Sequence, residues 1–559
     1  MNSANKTPPV LGSAILDVEE TRIERLLHFI QYIHTLIKEE NDLRLPKFSH
    51  QQFNYEENTE SSSVPLNGST EQDVLQRATS AFDGMIRWHH PFAVHNITPP
   101  PLLSTVAISC IANLYSPNCL WDYVSGKAVL FEKQVLKYLA ELHNWNSKTS
   151  DGVFTSGGKA TLMYAVKIGL NKCCRSTVKD GVNGQDFIVI TSQASHYTLE
   201  FVCNLLGIGT KACIRIPADT TELMNIAHFE EELRKQLIRG KKIACIVVAG
   251  GNSLHNSIDP IYEVCQVRDK LVSEFGLDYS PHVHVDAVIG WAWLFFRYYN
   301  FKENKYEFPV DILNKLQVTY QKIADVSWAD SSGVDFHKTG LCPYVSSAFI
   351  VRDKRDLHSI NKEELAEMPY GEYGSNFIQH HTIEHSRSAN GILSAWVAIN
   401  QLGAEGFQQY LGHMMTVAES IRSKIDQQNF EVLNSFSMGF ATVLLPMHPH
   451  YKLSFAELCN APKEVIREYT LYCYGFFQFL SAQVSGEELV KPIIGFLSNY
   501  KLREDLACIP ALRIYPMSPH LDNSGVEQLL DNLSVLKSIY EQMDTDNLNQ
   551  SQISRHYPK

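Results

Sequence analysis

The sequence predicts an α/β fold built on a largely parallel sheet, and three observations carry that expectation. Short apolar runs recur at 187–191, 243–248, 282–286 and 347–351, each the length of a strand buried on both faces. Segments with apolar residues at helical spacing lie between several of them, at 161–170 and 261–275, as βαβ units require. The residues able to do chemistry follow the strand candidates, where open α/β sheets bind ligands.

The elements around this sheet follow in chain order. Residues 1–85 read as a lead-in, with one amphipathic helix over 15–37 (Ile23, Leu26, Leu27, Ile30, Ile33) and a polar loop near 56–63. Residues 86–400 form the large domain, closed by a long helix running from Ala389 towards Leu402. Residues 401–559 mix helices and strands and predict a small C-terminal α+β domain with a polar tail from about 544.

Composition narrows the function. Of 559 residues, 49 are Lys or Arg and 61 are Asp or Glu, a formal net charge of −12. That argues against a basic nucleic-acid face, while leaving room for one small anionic ligand. The start, MNSANKTPPV, lacks a basic and then apolar leader, and the apolar run at 287–296 is far short of a membrane span. Twelve cysteines are scattered without a C-x-x-C pair. A reduced, cytoplasmic chain is expected, with no metal centre.

Four clusters carry chemistry. Gly152-Val153-Phe154-Thr155-Ser156-Gly157-Gly158 opens an apolar helix, so backbone N–H groups and a helix N-terminus converge as an anion cradle. An ordinary glycine turn reads the same. Ser195-His196-Tyr197 follows one strand; a lone His there is as often structural. His284-Val285-Asp286-Ala287 ends another with an acid, either a turn cap or a carboxylate aimed into the crevice. Asp330 to Gly340 contains His337-Lys338, and a partly buried Lys is how imine-forming lysines are made nucleophilic. Each is weak alone. Together they are the parts pyridoxal phosphate needs: a phosphate cradle, an imine lysine, a carboxylate for the pyridine nitrogen and a flat group over the ring.

Over roughly residues 85–410 the chain resembles the group II pyridoxal-phosphate-dependent amino-acid decarboxylases, of fold type I. The resemblance rests on His90-Pro91, Asn96-Ile97-Thr98-Pro99, Tyr115-Ser116-Pro117-Asn118, the 152–158 cradle, Ser195-His196-Tyr197, Gly250-Gly251-Asn252-Ser253, His284 to Ala287, Asp330 to Lys338 and Ser386-Arg387-Ser388. It implies decarboxylation of an L-amino acid, with Lys338 as Schiff-base lysine, His196 stacked on the ring and Asp286 paired with the pyridinium nitrogen. Ser156, Gly157, Gly158 and His337 would hold the phosphate, Ser253 would lie near the cofactor, and Asp330 would support the lysine segment. It further implies a homodimer with the active site at the subunit interface, Ser386 reaching towards the neighbouring cofactor. The mobile loop of the family falls at 361–379, where Tyr370 and Tyr373 are the candidate proton donors.

The chain departs from the family in places. Asp335-Phe336 replaces the commoner Asn-Pro before His337-Lys338, which puts a phosphate contact from residue 335 in question. Lys159-Ala160-Thr161 replaces Thr-Glu-Ser, and Val288 is bulkier than the usual Ala. His381-Thr382-Ile383-Glu384-His385 also matches H-x-x-E-H, a zinc site if helical; we set it below the cofactor reading. The alternatives to decarboxylation are a Cα–Cβ lyase, an aldehyde-forming decarboxylating deaminase, and a non-catalytic binding relative.

Overall fold

Side chains that are buried along the whole strand but point alternately to its two faces build the molecule in layers. The computed structural model describes residues 23–40, 45–47, 55–60, 62–219, 221–361, 378–482 and 489–543. The central sheet holds β1 (Asp151–Thr155), β2 (Phe187–Ser192), β3 (Cys213–Ile216), β4 (Lys242–Ala249), β5 (His282–Asp286), β6 (Ser331–Asp335) and β7 (Ser347–Val351). Its order is β1-β7-β6-β5-β4-β2-β3, and β7 alone runs against its neighbours. Ile188, Ile190, Val283 and Val285 point to one side, into a core shared with helices. Phe187, Val189, Cys245 and Val247 point to the other, into a second core. The period of two thus gives one sheet two apolar faces, which only helices on both sides can cover.

The principal helices are α1 (Ile23–Glu40), α2 (Leu103–Tyr115), α3 (Ala128–Leu142), α4 (Gly158–Cys173), α5 (Ile261–Phe275), α6 (Asn390–Lys424), α7 (Lys463–Ser481) and α8 (Asn523–Gln542). α4 crosses the sheet closely: a Cβ on Gly169 would lie 2.3 Å from the Ala244 carbonyl oxygen. A smaller antiparallel sheet, β8 (Phe430–Val432), β9 (Thr442–Pro446), β10 (Gly495–Leu502) and β11 (Cys508–Ile514), is ordered β10-β11-β9-β8 and backed by α7 and α8.

Several expectations are adjusted. The lead-in helix spans Ile23–Glu40 among the described residues. The long helix breaks at Gly403, where φ is 59° and ψ is −171°, next to its expected end at Leu402, and a second helical stretch runs on to Lys424; Phe407, Leu411 and Met414 of that stretch still belong to the core of the large sheet. The core of the small sheet also takes Phe92 and Val94 from the start of the large domain. The apolar run at 287–296 becomes a buried 3₁₀ segment, Gly290–Tyr298.

Candidate active site

The carboxyl ends of the parallel strands bring the chemistry together. β1 ends in Ser156-Gly157-Gly158, β2 leads to His196, β4 to Ser253, β5 ends at Asp286, and β6 ends at Asp335, three residues before Lys338. Register fixes the neighbours: Ala249 pairs with Asp286, Asp286 with Gly333, and Ser347 with both Asp335 and Thr155. Gly157 takes a φ of 130°, open only to glycine, and its neighbour is pressed by the site. A Cβ on Gly158 would meet Asp335 Oδ2 at 3.1 Å and Val288 Cγ1 at 3.2 Å.

Lys338 lies at the centre. Its Nζ is 2.9 Å from Asp335 Oδ2. Burial draws its pKa down, but Asp335, with Asp286 behind it, outweighs burial and leaves it raised. Asp286 faces the reverse balance. Burial lifts its carboxyl to about 6, Asp335 adds to the rise, and Lys338 opposes it. Asp286 Oδ1 is buried and accepts no hydrogen bond among the described residues. A buried carboxylate oxygen without a donor is costly, and a protonated pyridine nitrogen is the donor such an oxygen lacks.

His196 keeps an exposed edge, yet desolvation together with Lys338, Arg215 and Lys159 pushes its pKa to about 4. Its Nδ1 accepts the Thr198 N–H at 3.2 Å, which leaves the other ring nitrogen to carry the proton. Arg215 holds the turn beneath it, donating to the carbonyls of Ser195 and His196. His337 is buried and donates from Nδ1 to the Ser346 carbonyl at 2.9 Å, with Nε2 3.5 Å from Asp335 Oδ2; burial lowers its pKa despite Asp335. Ser253 is anchored through its carbonyl by Arg513 and Tyr515 of the strand β11 region. Asp330 sits at the opposite end of β6 and ties Val283, Arg268 and Arg352 together, so it supports the strand and lies away from the lysine.

The anion cradle holds an anion from the chain itself. Glu384 Oε1 accepts both the Ser156 N–H and its Oγ–H at 3.0 Å, and Oε2 accepts the Tyr164 hydroxyl at 2.8 Å. Tyr164 Oη in turn accepts the Ile383 N–H at 2.7 Å. The H-x-x-E-H segment is therefore not the helix a zinc pair needs: Ile378–His381 is one 3₁₀ turn and the chain is irregular to Ser388. His381 stacks on His358 instead, with ring centres 4.1 Å apart. Next to it, Ser386 accepts from Asn118 Nδ2 at 3.3 Å. Arg387 forms a buried two-pronged pair with Glu132, at 2.6 and 3.0 Å, and also reaches the carbonyls of Phe154 and Cys119. Tyr370 and Tyr373 lie outside the described residues.

Sequence reading placed Lys338, Asp286, His196, His337 and the cradle at one site. Tyr164 and Ser347 went unmarked, Glu384 was seen only in the H-x-x-E-H pattern, and Asp335 was weighed for a phosphate contact and not for its ion pair with Lys338. Asp335 had a signal in its i−3 spacing from Lys338; Glu384 had none, because a contact across 228 positions leaves no local pattern. The orphaned Asp286 oxygen, the paired lysine and a cradle that already holds a carboxylate fit pyridoxal phosphate.

Comparison with known proteins agrees with this chemistry. The chain is 22% identical over 410 residues to an L-2,4-diaminobutyrate decarboxylase of Acinetobacter baumannii, covering 70% of this chain and 74% of that one. It is 24% identical over 379 residues to the acidic amino acid decarboxylase GADL1 of Xenopus tropicalis, covering 66% and 67%. Among solved structures, mouse CSAD superposes with a TM-score of 0.74 at 17% identity, over 92% of this chain and 99% of that one. Oryza sativa TDC with PLP and tryptamine gives 0.72 at 16%, over 96% and 99%. The pyridoxal-dependent decarboxylase conserved domain matches residues 55–444, and with the site gathered at its strand ends the chain belongs to that family, an amino-acid decarboxylase of fold type I that uses pyridoxal phosphate.

Proposed function

We propose that the chain removes the α-carboxylate of an L-amino acid as CO₂ and releases the amine, with Lys338, Asp286 and His196 as the working groups. The observation that carries these roles is the convergence of a charged, half-buried lysine and a carboxylate with one unpartnered oxygen on adjacent strand ends. When bound, pyridoxal phosphate supplies an electron sink for the pair left by the departing carboxylate. Lys338 carries the nitrogen that holds the cofactor and keeps a proton at Nζ. Asp286 Oδ1 holds a proton at the pyridine nitrogen. His196, oriented by Thr198, would cover the cofactor and exclude water. The N-terminus of α4, with Ser156, Gly157 and Gly158, would bind the phosphate in place of Glu384, and Ser253 would lie near it.

The same reading includes a homodimer, with Ser386 near a second subunit's site. The exposed apolar side chains Leu103, Ile111, Val124 and Leu130, all within one stretch of the chain, support it, since exposed apolar surface of that kind marks an interface. Twelve free thiols suit a reducing, cytoplasmic compartment, and no helix among the described residues is long and apolar enough to cross a membrane. The names of the relatives span a diamino acid and acidic amino acids, so the test is a screen of the twenty standard amino acids and 2,4-diaminobutyrate for CO₂ and amine, run with Lys338→Ala beside the parent chain. We expect amine from a narrow substrate set, and loss of both turnover and the visible cofactor band in the variant. Retention of both by Lys338→Ala would overturn the assignment.

A further inference from the structure

Asp335 is buried beside the lysine at the end of β6. Its side chain is 1% exposed. Oδ1 accepts the hydroxyl of Ser347, its register partner on β7. Oδ2 lies 2.9 Å from Lys338 Nζ, 3.5 Å from His337 Nε2, and against the glycine that opens α4. The absence of a side chain at Gly158 leaves the room this carboxylate occupies. The other titratable groups around the ammonium are Asp286 on β5, His196 after β2, His337 beside it, Tyr344 before β7 and Tyr515 after β11. Among the described residues Asp335 alone reaches Nζ at ion-pair distance.

We propose that Asp335 is a positioning residue that keeps the Lys338 nitrogen cationic, both in the free chain and after it has joined the cofactor's aldehyde. The proposal rests on the cofactor reading above. The balance is simple. The ammonium and the aldehyde give a protonated C=N linkage and one water. Two N–H protons leave with the aldehyde oxygen, no electrons are gained or lost, and the positive charge stays on nitrogen. Asp335 therefore faces a cation at the start and at the end. A neutral amide at this position would lack that hold, and burial would then favour the uncharged nitrogen. The Ser347 hydroxyl on Oδ1 and the tight space beside Gly158 confine the carboxylate, where an exposed acid would turn to water.

The test uses the full chain in two states. In the loaded protein, the visible absorbance of the Lys338–cofactor linkage is followed against pH. We expect the parent to keep one spectrum across the neutral range, and Asp335→Asn to titrate within it, with proton affinity reduced by about tenfold or more. In the cofactor-free protein, reductive methylation by formaldehyde, with cyanoborohydride as the hydride donor, is read at the Lys338 peptide by mass spectrometry. Near neutral pH, Asp335→Asn should label about tenfold faster, and Ser347→Ala, which frees Oδ1, should shift the same way by less. If Asp335→Asn does not fold, Ser347→Ala decides: a shift in that direction supports the proposal, and none overturns it. Unchanged spectra and unchanged labelling in a folded Asp335→Asn also overturn it. If the parent shows no visible band with pyridoxal phosphate, the cofactor reading fails, while the labelling still reports on Asp335.

Discussion

Asp286 titrates against its own burial. Its folded pKa is about 6, above the ordinary 3.8, so the unfolded chain gives up this proton first. The stability it contributes is complete below about pH 4 and is lost as pH rises to 6, a change of at most ~3 kcal/mol. In the cofactor-free chain, Asp286→Asn should remove that slope. Its urea midpoint should gain on the parent between pH 4 and 6 and hold a constant lead above; a lead that does not vary with pH would contradict the shift. Glu384 gives a second prediction at this scale. A carboxylate on the Ser156 and Tyr164 donors competes with any phosphate there, at a high local concentration because it is tethered. Glu384→Gln should bind pyridoxal phosphate about tenfold more tightly and pyridoxal, which lacks the phosphate, with little change, both read by absorbance titration. Equal effects on the two would count against it. Lys338, His196 and Asp286 were candidates in the sequence because local motifs surround them. Glu384 stood in a motif that suggested a metal, and only the folded chain shows that its partners come from α4 and the loop before it.

Strands and helices differed in how openly they were written. The run 282–286 matches β5 residue for residue, and 261–275 matches α5, because both are long enough to show a clear period. β6 was not marked as a strand: Ser331-Ser332-Gly333 is neither apolar nor β-branched. Its polar residues are buried because they have work to do, Ser331 meeting both His282 and His284 across β5. Gly333 is fixed by α4, since a Cβ there would stand 2.5 Å from Thr161 Oγ1. Gly333→Ala should push α4 off the sheet and cost about 1–3 kcal/mol, read as a lowered urea midpoint with weakened cofactor binding. The Arg387–Glu132 pair joins the segment before α6 to α3, and Glu132 also accepts the Phe154 N–H. Arg387→Met leaves a buried carboxylate without its cation and should cost about 3–5 kcal/mol; a change under 1 kcal/mol would mean that the pair is not a tie between these elements.

At the scale of the molecule, α2 buries only Thr105 and Ala112 of its thirteen residues, which leaves Leu103 and Ile111 facing outwards. The full chain should sediment as a dimer, and Leu103→Glu with Ile111→Glu should move it towards monomer; a parent that sediments as a monomer at micromolar concentration would remove the dimer from the proposed function. The length of the chain suggested units that follow one another, yet the packing interleaves them. Ile392, Ala395, Phe407, Leu411, Met414 and Ala418 of α6 belong to the core of the large sheet, with Phe440, Ala441, Tyr515 and Met517 from much later in the chain. Val417 and Ile421 of the same helix belong to the core of the small sheet. A helix that serves two cores cannot melt on behalf of one. Heating should therefore give a single calorimetric transition for both layers, the two sheets losing structure together, and a chain cut at residue 400 should lose Phe407, Leu411, Met414, Phe440 and Tyr515 from its own large core and fail to fold.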